Sequence, residues 1–215
     1  MKKILFLLLM VSSLIASPRA IVFDFNGVMT REPNRETIYP FLHETLHLSK
    51  AEFEKVYEAL LSGKTDREFW RSLAKEKGVH LTNTWGKDFT AIMKDSFANP
   101  EMFALVDRLK QKQLPMILFS NMDAIPARHF REMGLFEPFD RHIFAFEIGA
   151  AKPDPKAYQI LLQELDLPPE DIIFIDDQPD NIRAAQAIGM KVVLFQSASQ
   201  LQEDLEISLE QLNHF

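Results

Sequence analysis

Positions 20–28 read AIVFDFNGV. Four apolar residues run straight into Asp24, and Gly27 follows three positions later. A short apolar run rich in β-branched and aromatic residues, closed by a glycine, fits a buried parallel strand with a tight turn after it. Asp24 then stands at the carboxyl end of a central strand, the end at which open α/β sheets bind ligands. A carboxylate is costly to bury there unless a metal or hydrogen-bond donors offset its charge.

The second half of the chain supplies the partners such a strand needs. From Pro100 onward, helical and extended patterns alternate. Strands are expected over 115–119, 142–146, 171–175 and 191–195, with helices over 101–113, 125–133, 155–165, 179–188 and 200–212. That alternation implies βαβ units, a parallel sheet and helices on both faces. Between Thr30 and Asn99 there is no strand signal. Phe53, Val56, Tyr57, Leu60 and Leu61 share one helical face, with Ser49 and Glu52 as a capping box before them. Thr65, with Glu68 three residues on, is expected to cap a second helix, and a third runs over about 84–97. The reading is an all-helical insertion over 31–98 in an α/β core made of 17–30 and 99–215.

A chain of 215 residues, 47% apolar, suits one core with a modest insertion. A net charge of −7 argues against non-specific nucleic-acid binding, and the absence of cysteine excludes disulfides and thiolate metal sites. Positions 1–16 have the form of an export leader: Met1-Lys2-Lys3, then an apolar stretch broken only by Ser12 and Ser13, with cleavage expected after Ala16. The stretch is short for a transmembrane helix, so no stable membrane anchor is expected after processing. An exported or periplasmic protein is expected, a cytoplasmic one being the alternative if the stretch belongs to the fold.

Three further places carry chemistry. Ser120 and Asn121 follow an apolar run, and a hydroxyl with backbone N–H groups at a strand-to-helix turn suits a phosphate oxygen. Lys152 lies in a loop shaped by Gly149 and Pro153. Asp176 and Asp177 close the run Ile172 to Ile175, with Asn181 just beyond. His43 and His47 stand four apart without the acidic companion of a zinc-binding HExxH helix, and read as a helix surface pair.

In this order, the four stretches resemble the motifs of the haloacid dehalogenase-like (HAD) hydrolase superfamily over about residues 20–200. The resemblance implies a Rossmann-like parallel core under a helical cap, inserted between the first and second motifs. It implies Asp24 as nucleophile toward phosphorus, Ser120 and Asn121 as phosphate ligands, and Lys152 paired with Asp24 and the phosphoryl group. Mg²⁺ would be held by Asp24, the backbone carbonyl of Asn26 and Asp177, with Asp176 in a supporting or water-mediated role. The expected function is Mg²⁺-dependent hydrolysis of a small phosphorylated metabolite through an aspartyl-phosphate. One position departs: Asn26 stands where the family carries the acid–base aspartate, and an amide cannot exchange a proton at ordinary pH. A phospho-ligand-binding protein without turnover, or a dehalogenase-type hydrolase, are therefore the alternatives.

Overall fold

The structure is a computed structural model that describes residues 18–61 and 64–210. The leader expected over 1–16 lies outside them. Five parallel strands form one sheet: β1 (Ala20–Phe23), β2 (Met116–Ser120), β3 (Arg141–Phe144), β4 (Ile172–Asp176) and β5 (Lys191–Leu194), in the order β3-β2-β1-β4-β5. All five were expected. β2 and β4 each end one residue later, so Ser120 and Asp176 are the last residues of their strands. β3 ends two residues earlier, where the chain turns into a helix.

Four helices follow β1 and form a lobe of their own: α1 (Arg35–Leu46), α2 (Lys50–Leu61), α3 (Arg67–Glu76) and α4 (Trp85–Phe97). The rest alternate with the strands: α5 (Pro100–Lys110), α6 (Ala124–Glu132), α7 (Ala145–Ile148), α8 (Pro155–Leu165), α9 (Pro179–Ala187) and α10 (Ala198–Glu210). None of the helices in the described residues is long and apolar enough to cross a membrane.

Side chains alternate across a strand with a period of two, and the core divides accordingly. Ile21 and Phe23 of β1 pack on one face with Leu105, Phe130 and Leu201. Ala20 and Val22 pack on the other with Tyr158, Leu161 and Ala185. Both faces of β1 are therefore sealed, which is why its sequence is a continuous apolar run.

The helices α1 to α4 bury a third cluster of their own around Leu42, Phe53, Trp70 and Trp85. Entry to and exit from this lobe are tied together. Thr30 and Ala98 form an antiparallel bridge, Arg31 N–H donates to Phe97 O at 2.9 Å, and Asn99 N–H to Met29 O at 3.0 Å. Tyr57 Oη donates to Pro33 O at 2.6 Å.

The lobe differs in detail from expectation. The Ser49–Glu52 capping box forms, with Ser49 N–H to Glu52 Oε2 at 2.9 Å. α3 is capped by Asp66 rather than Thr65, its carboxylate accepting from Phe69 N–H at 2.8 Å; a carboxylate at a helix N-terminus has the charge advantage over a hydroxyl. α1 falls in the stretch expected to be helical, but its bounds were not foreseen, because Pro40 lies inside it and masks the buried Ile38, Leu42, Leu46 stripe. His43 is on α1, whereas His47 is its left-handed C-cap, so the two do not form a pair on one helix face.

Candidate active site

The order β3-β2-β1-β4-β5 reverses direction between β1 and β4, and ligand crevices open at such a switch point beyond the carboxyl ends of the strands. Asp24 lies one residue past β1 and Asp176 ends β4. The Asp24 N–H donates to Ile175 O at 2.8 Å, so the ladder still fixes its backbone. Beyond Asp24 the chain turns back at once: Met29 and Thr30 N–H both donate to Phe25 O, and Gly27 sits at φ +82°.

Lys152 is the centre of the site. Its side chain is 1% exposed, and its Nζ donates to Asp24 Oδ1 at 2.7 Å, to Asp176 Oδ2 at 2.7 Å and to Phe119 O at 2.8 Å. An ammonium has three N–H donors, and protein acceptors take all three. The ring faces of Phe119 and Phe174 lie 5.2 and 5.4 Å from Nζ. The loop carrying Lys152 is clamped by Asn121, whose Nδ2 donates to Lys152 O at 2.7 Å while its Oδ1 accepts from Lys152 N–H at 2.8 Å. One Asn121 side-chain N–H thus holds the lysine's backbone, and the lysine's own three donors go to two carboxylates and a carbonyl.

Ser120 is the opposite case. Its hydroxyl is buried at the end of β2, and it is the one buried side-chain polar atom without a partner among the described residues. An unsatisfied buried hydroxyl costs on the order of 1–3 kcal/mol, and a ligand oxygen would satisfy it.

The two acids at the end of β4 are unequal. Asp176 is fully buried and accepts from Lys152, from Asn181 Nδ2 at 3.0 Å on both oxygens, and from Gln178 N–H at 2.8 Å. Tyr158 Oη in turn donates to Asn181 O at 2.9 Å. Asp177 is half-buried, and Gln178 Nε2 donates to its Oδ2 at 2.8 Å. Its carboxylate lies against the turn after β1, where a Cβ on Gly27 would stand 2.5 Å from Oδ2. Gln178 escaped the sequence reading; only its place next to the acid pair could have flagged it. Asn26 is exposed on the turn.

Carboxylate oxygens of Asp24, Asp176 and Asp177 all lie within 4.8 Å of one another. Burial pushes the Asp24 carboxyl up from its ordinary 3.8 to about 6, Lys152 opposes the rise, and the charge of Asp176 adds to it. Burial, with Asp176 and Asp24 close by, also lifts the Tyr158 hydroxyl far above its ordinary range. An all-oxygen cluster of this charge suits a small hard dication. The donor set and the close-approach glycine fit such an ion.

A family profile described as haloacid dehalogenase-like hydrolase matches residues 18–189. Bifunctional epoxide hydrolase 2 of Sus scrofa is 24% identical over 212 residues, covering 87% of this chain and 38% of that protein. The chain thus spans little more than a third of that relative. The phosphorylated carbohydrates phosphatase of Thermotoga maritima is 24% identical over 185 residues, covering 80% of this chain and 82% of its own. A HAD family enzyme of Bacteroides thetaiotaomicron, solved as a mutant complexed with magnesium and inorganic phosphate, shares the fold. Its TM-score is 0.52 at 18% identity, over 86% of this chain and 99% of that one.

Proposed function

The chain belongs to the haloacid dehalogenase-like hydrolases, and from that premise we propose that it is a Mg²⁺-dependent phosphomonoesterase acting through an aspartyl-phosphate on Asp24. The observation that carries the reading is the pairing of a buried, lysine-held Asp24 with the unpartnered hydroxyl of Ser120 at the same end of the sheet. One group is a placed carboxylate nucleophile, and the other is a donor waiting for an anionic oxygen.

Lys152 fixes Oδ1 of Asp24, which leaves Oδ2 as the attacking atom. The Oδ2–P bond forms as the P–O bond to the alcohol breaks, and the leaving oxygen takes its proton from solvent, because the Asn26 amide has none to give. Water then cleaves the acyl phosphate, returning the Asp24 carboxylate and releasing inorganic phosphate. Ser120 donates to a non-bridging phosphate oxygen throughout. Asp24, Asp177 and the Asn26 carbonyl would hold Mg²⁺, while Asp176, with three donor groups on it, keeps Lys152 in place. Bound there, the ion would neutralise charge as the carboxylate approaches the phosphate.

Asn26 favours a second reading, in which phosphate is bound and not turned over. Hydrolysis of p-nitrophenyl phosphate separates the two, since its leaving group needs little protonation. Mg²⁺-dependent release that EDTA abolishes, and that Asp24→Asn lowers by at least about 10³-fold, is the expected result. Binding of phosphate with no release above the variant would establish the second reading.

A further inference from the structure

A cleft of about 1880 Å³ opens between the helical lobe and α6. Its floor is aromatic: Trp85 and Phe89 stack at 5.0 Å, and Trp70 meets Phe89 edge-on at 4.8 Å. At its sheet-side rim, Ile125 and Phe146 are 52% and 41% exposed. Large apolar side chains left open beside an aromatic floor mark a binding surface.

One wall is cationic. Arg67, Arg71 and Lys75 succeed one another at four-residue spacing on α3, which sets them in a row, and Arg128 lines the α6 side. Among the described residues, none of these four forms an ion pair. The carboxylates lining the cleft are Asp66, already occupied in capping α3, with Asp123 and Glu132. Four permanent cations therefore outnumber three acids here, in a chain whose net charge is −7. The cleft opens at the same end of the sheet as the carboxylate cluster, although none of Asp24, Ser120, Lys152, Asp176 and Asp177 lines it. Asp123 lies three residues past Ser120, and Phe146 two past the end of β3, so both stand at the sheet end that carries Asp24.

We infer that this cleft seats the organic body of the substrate, and that the substrate is an amphipathic phosphomonoester: an apolar body with a second anionic group remote from the phosphate. The assignment rests on the phosphatase reading above. Ordinary ligand pockets run to about 300–1,000 Å³, so a phosphate on a two- or three-carbon body would leave this space unfilled. An apolar chain or ring lies over Phe89 and Phe146. Its far anion meets the Arg71 row, whose guanidinium groups present paired donors to a carboxylate or phosphate.

The test compares 8-phosphooxyoctanoate with octyl phosphate, which lacks the second anion. Binding is measured by calorimetry on Asp24→Asn protein, which cannot turn over, with Mg²⁺ present. The carboxylated ester is expected to bind about tenfold more tightly, and the added substitutions Arg71→Glu and Arg128→Glu to erase that preference. Both arginines are exposed, so the charge reversals leave the core packed. Equal affinities, or a preference that charge reversal does not move, would overturn the inference. Wild-type turnover of p-nitrophenyl phosphate tests the phosphatase reading separately. If that ester is hydrolysed while the preference is missing, this inference alone fails. Charge-dependent binding with no hydrolysis of any ester would overturn the substrate assignment along with the phosphatase reading.

Discussion

Lys152 donates to two carboxylates and a carbonyl, and all three would suffer from its loss. Lys152→Met leaves Asp24 and Asp176 facing each other, buried and unneutralised, and breaking a buried ion pair from one side costs about 3–5 kcal/mol. Urea denaturation in EDTA should show a loss of that size. Asp24 itself has the opposite sign. Its folded carboxyl, at about 6, holds a proton more tightly than an unfolded chain at 3.8. Its ionisation therefore withdraws stability as pH rises through that window, by about 3 kcal/mol in all. In EDTA, Asp24→Asn should be more stable than wild type at pH 8, with the gap closing below about pH 4; urea midpoints at the two pH values decide it. Asp24, Ser120, Lys152, Asp176 and Asp177 were legible in the sequence, because each closes an apolar run or stands in a loop shaped by glycine and proline. The allocation of donors among them was not. That the Asn121 side chain also clamps the Lys152 loop was not readable, since it depends on a residue 31 positions away in the chain.

Among the elements, the turn from Asp24 to Thr30 couples the first strand to the acid pair at the end of β4. Gly27 is needed there twice, for its φ of +82° and for the 2.5 Å approach to Asp177. Gly27→Ala should cost about 1–2 kcal/mol in backbone strain. It should also displace Asp177, so that Mg²⁺ affinity falls by about tenfold or more. Thermal unfolding in EDTA reads the first effect and calorimetric Mg²⁺ titration the second. An unchanged affinity would mean that Asp177 does not hold the ion. The strands were readable because both-face burial writes itself as apolar runs, and α2 because its capping box is a local signal. The bounds of α1 were blurred by Pro40 inside it. The cap of α3 fell to Asp66 rather than its neighbour Thr65, a one-residue choice that local spacing does not make.

At the scale of the whole molecule, the site exists only in the folded chain, so ligands that fill it must stabilise the fold. Mg²⁺ with inorganic phosphate at a hundred times its dissociation constant should add about 2.7 kcal/mol. For a domain of this size that raises Tm by roughly 5–10 °C. Scanning calorimetry should find the shift in the wild type and not in Asp177→Asn. The placement of β1 has a consequence for how the chain is made. It is the earliest strand among the described residues, yet it lies in the middle of the sheet, paired with Met116–Leu118 on one side and Ile172–Ile175 on the other. At ribosomal speeds of about 5–20 residues per second, roughly 10–30 s separate the synthesis of β1 from that of β4. Until β2 emerges both edges of this apolar segment are open, and until β4 emerges one still is, and it is there that a nascent chain of this protein needs shielding from aggregation.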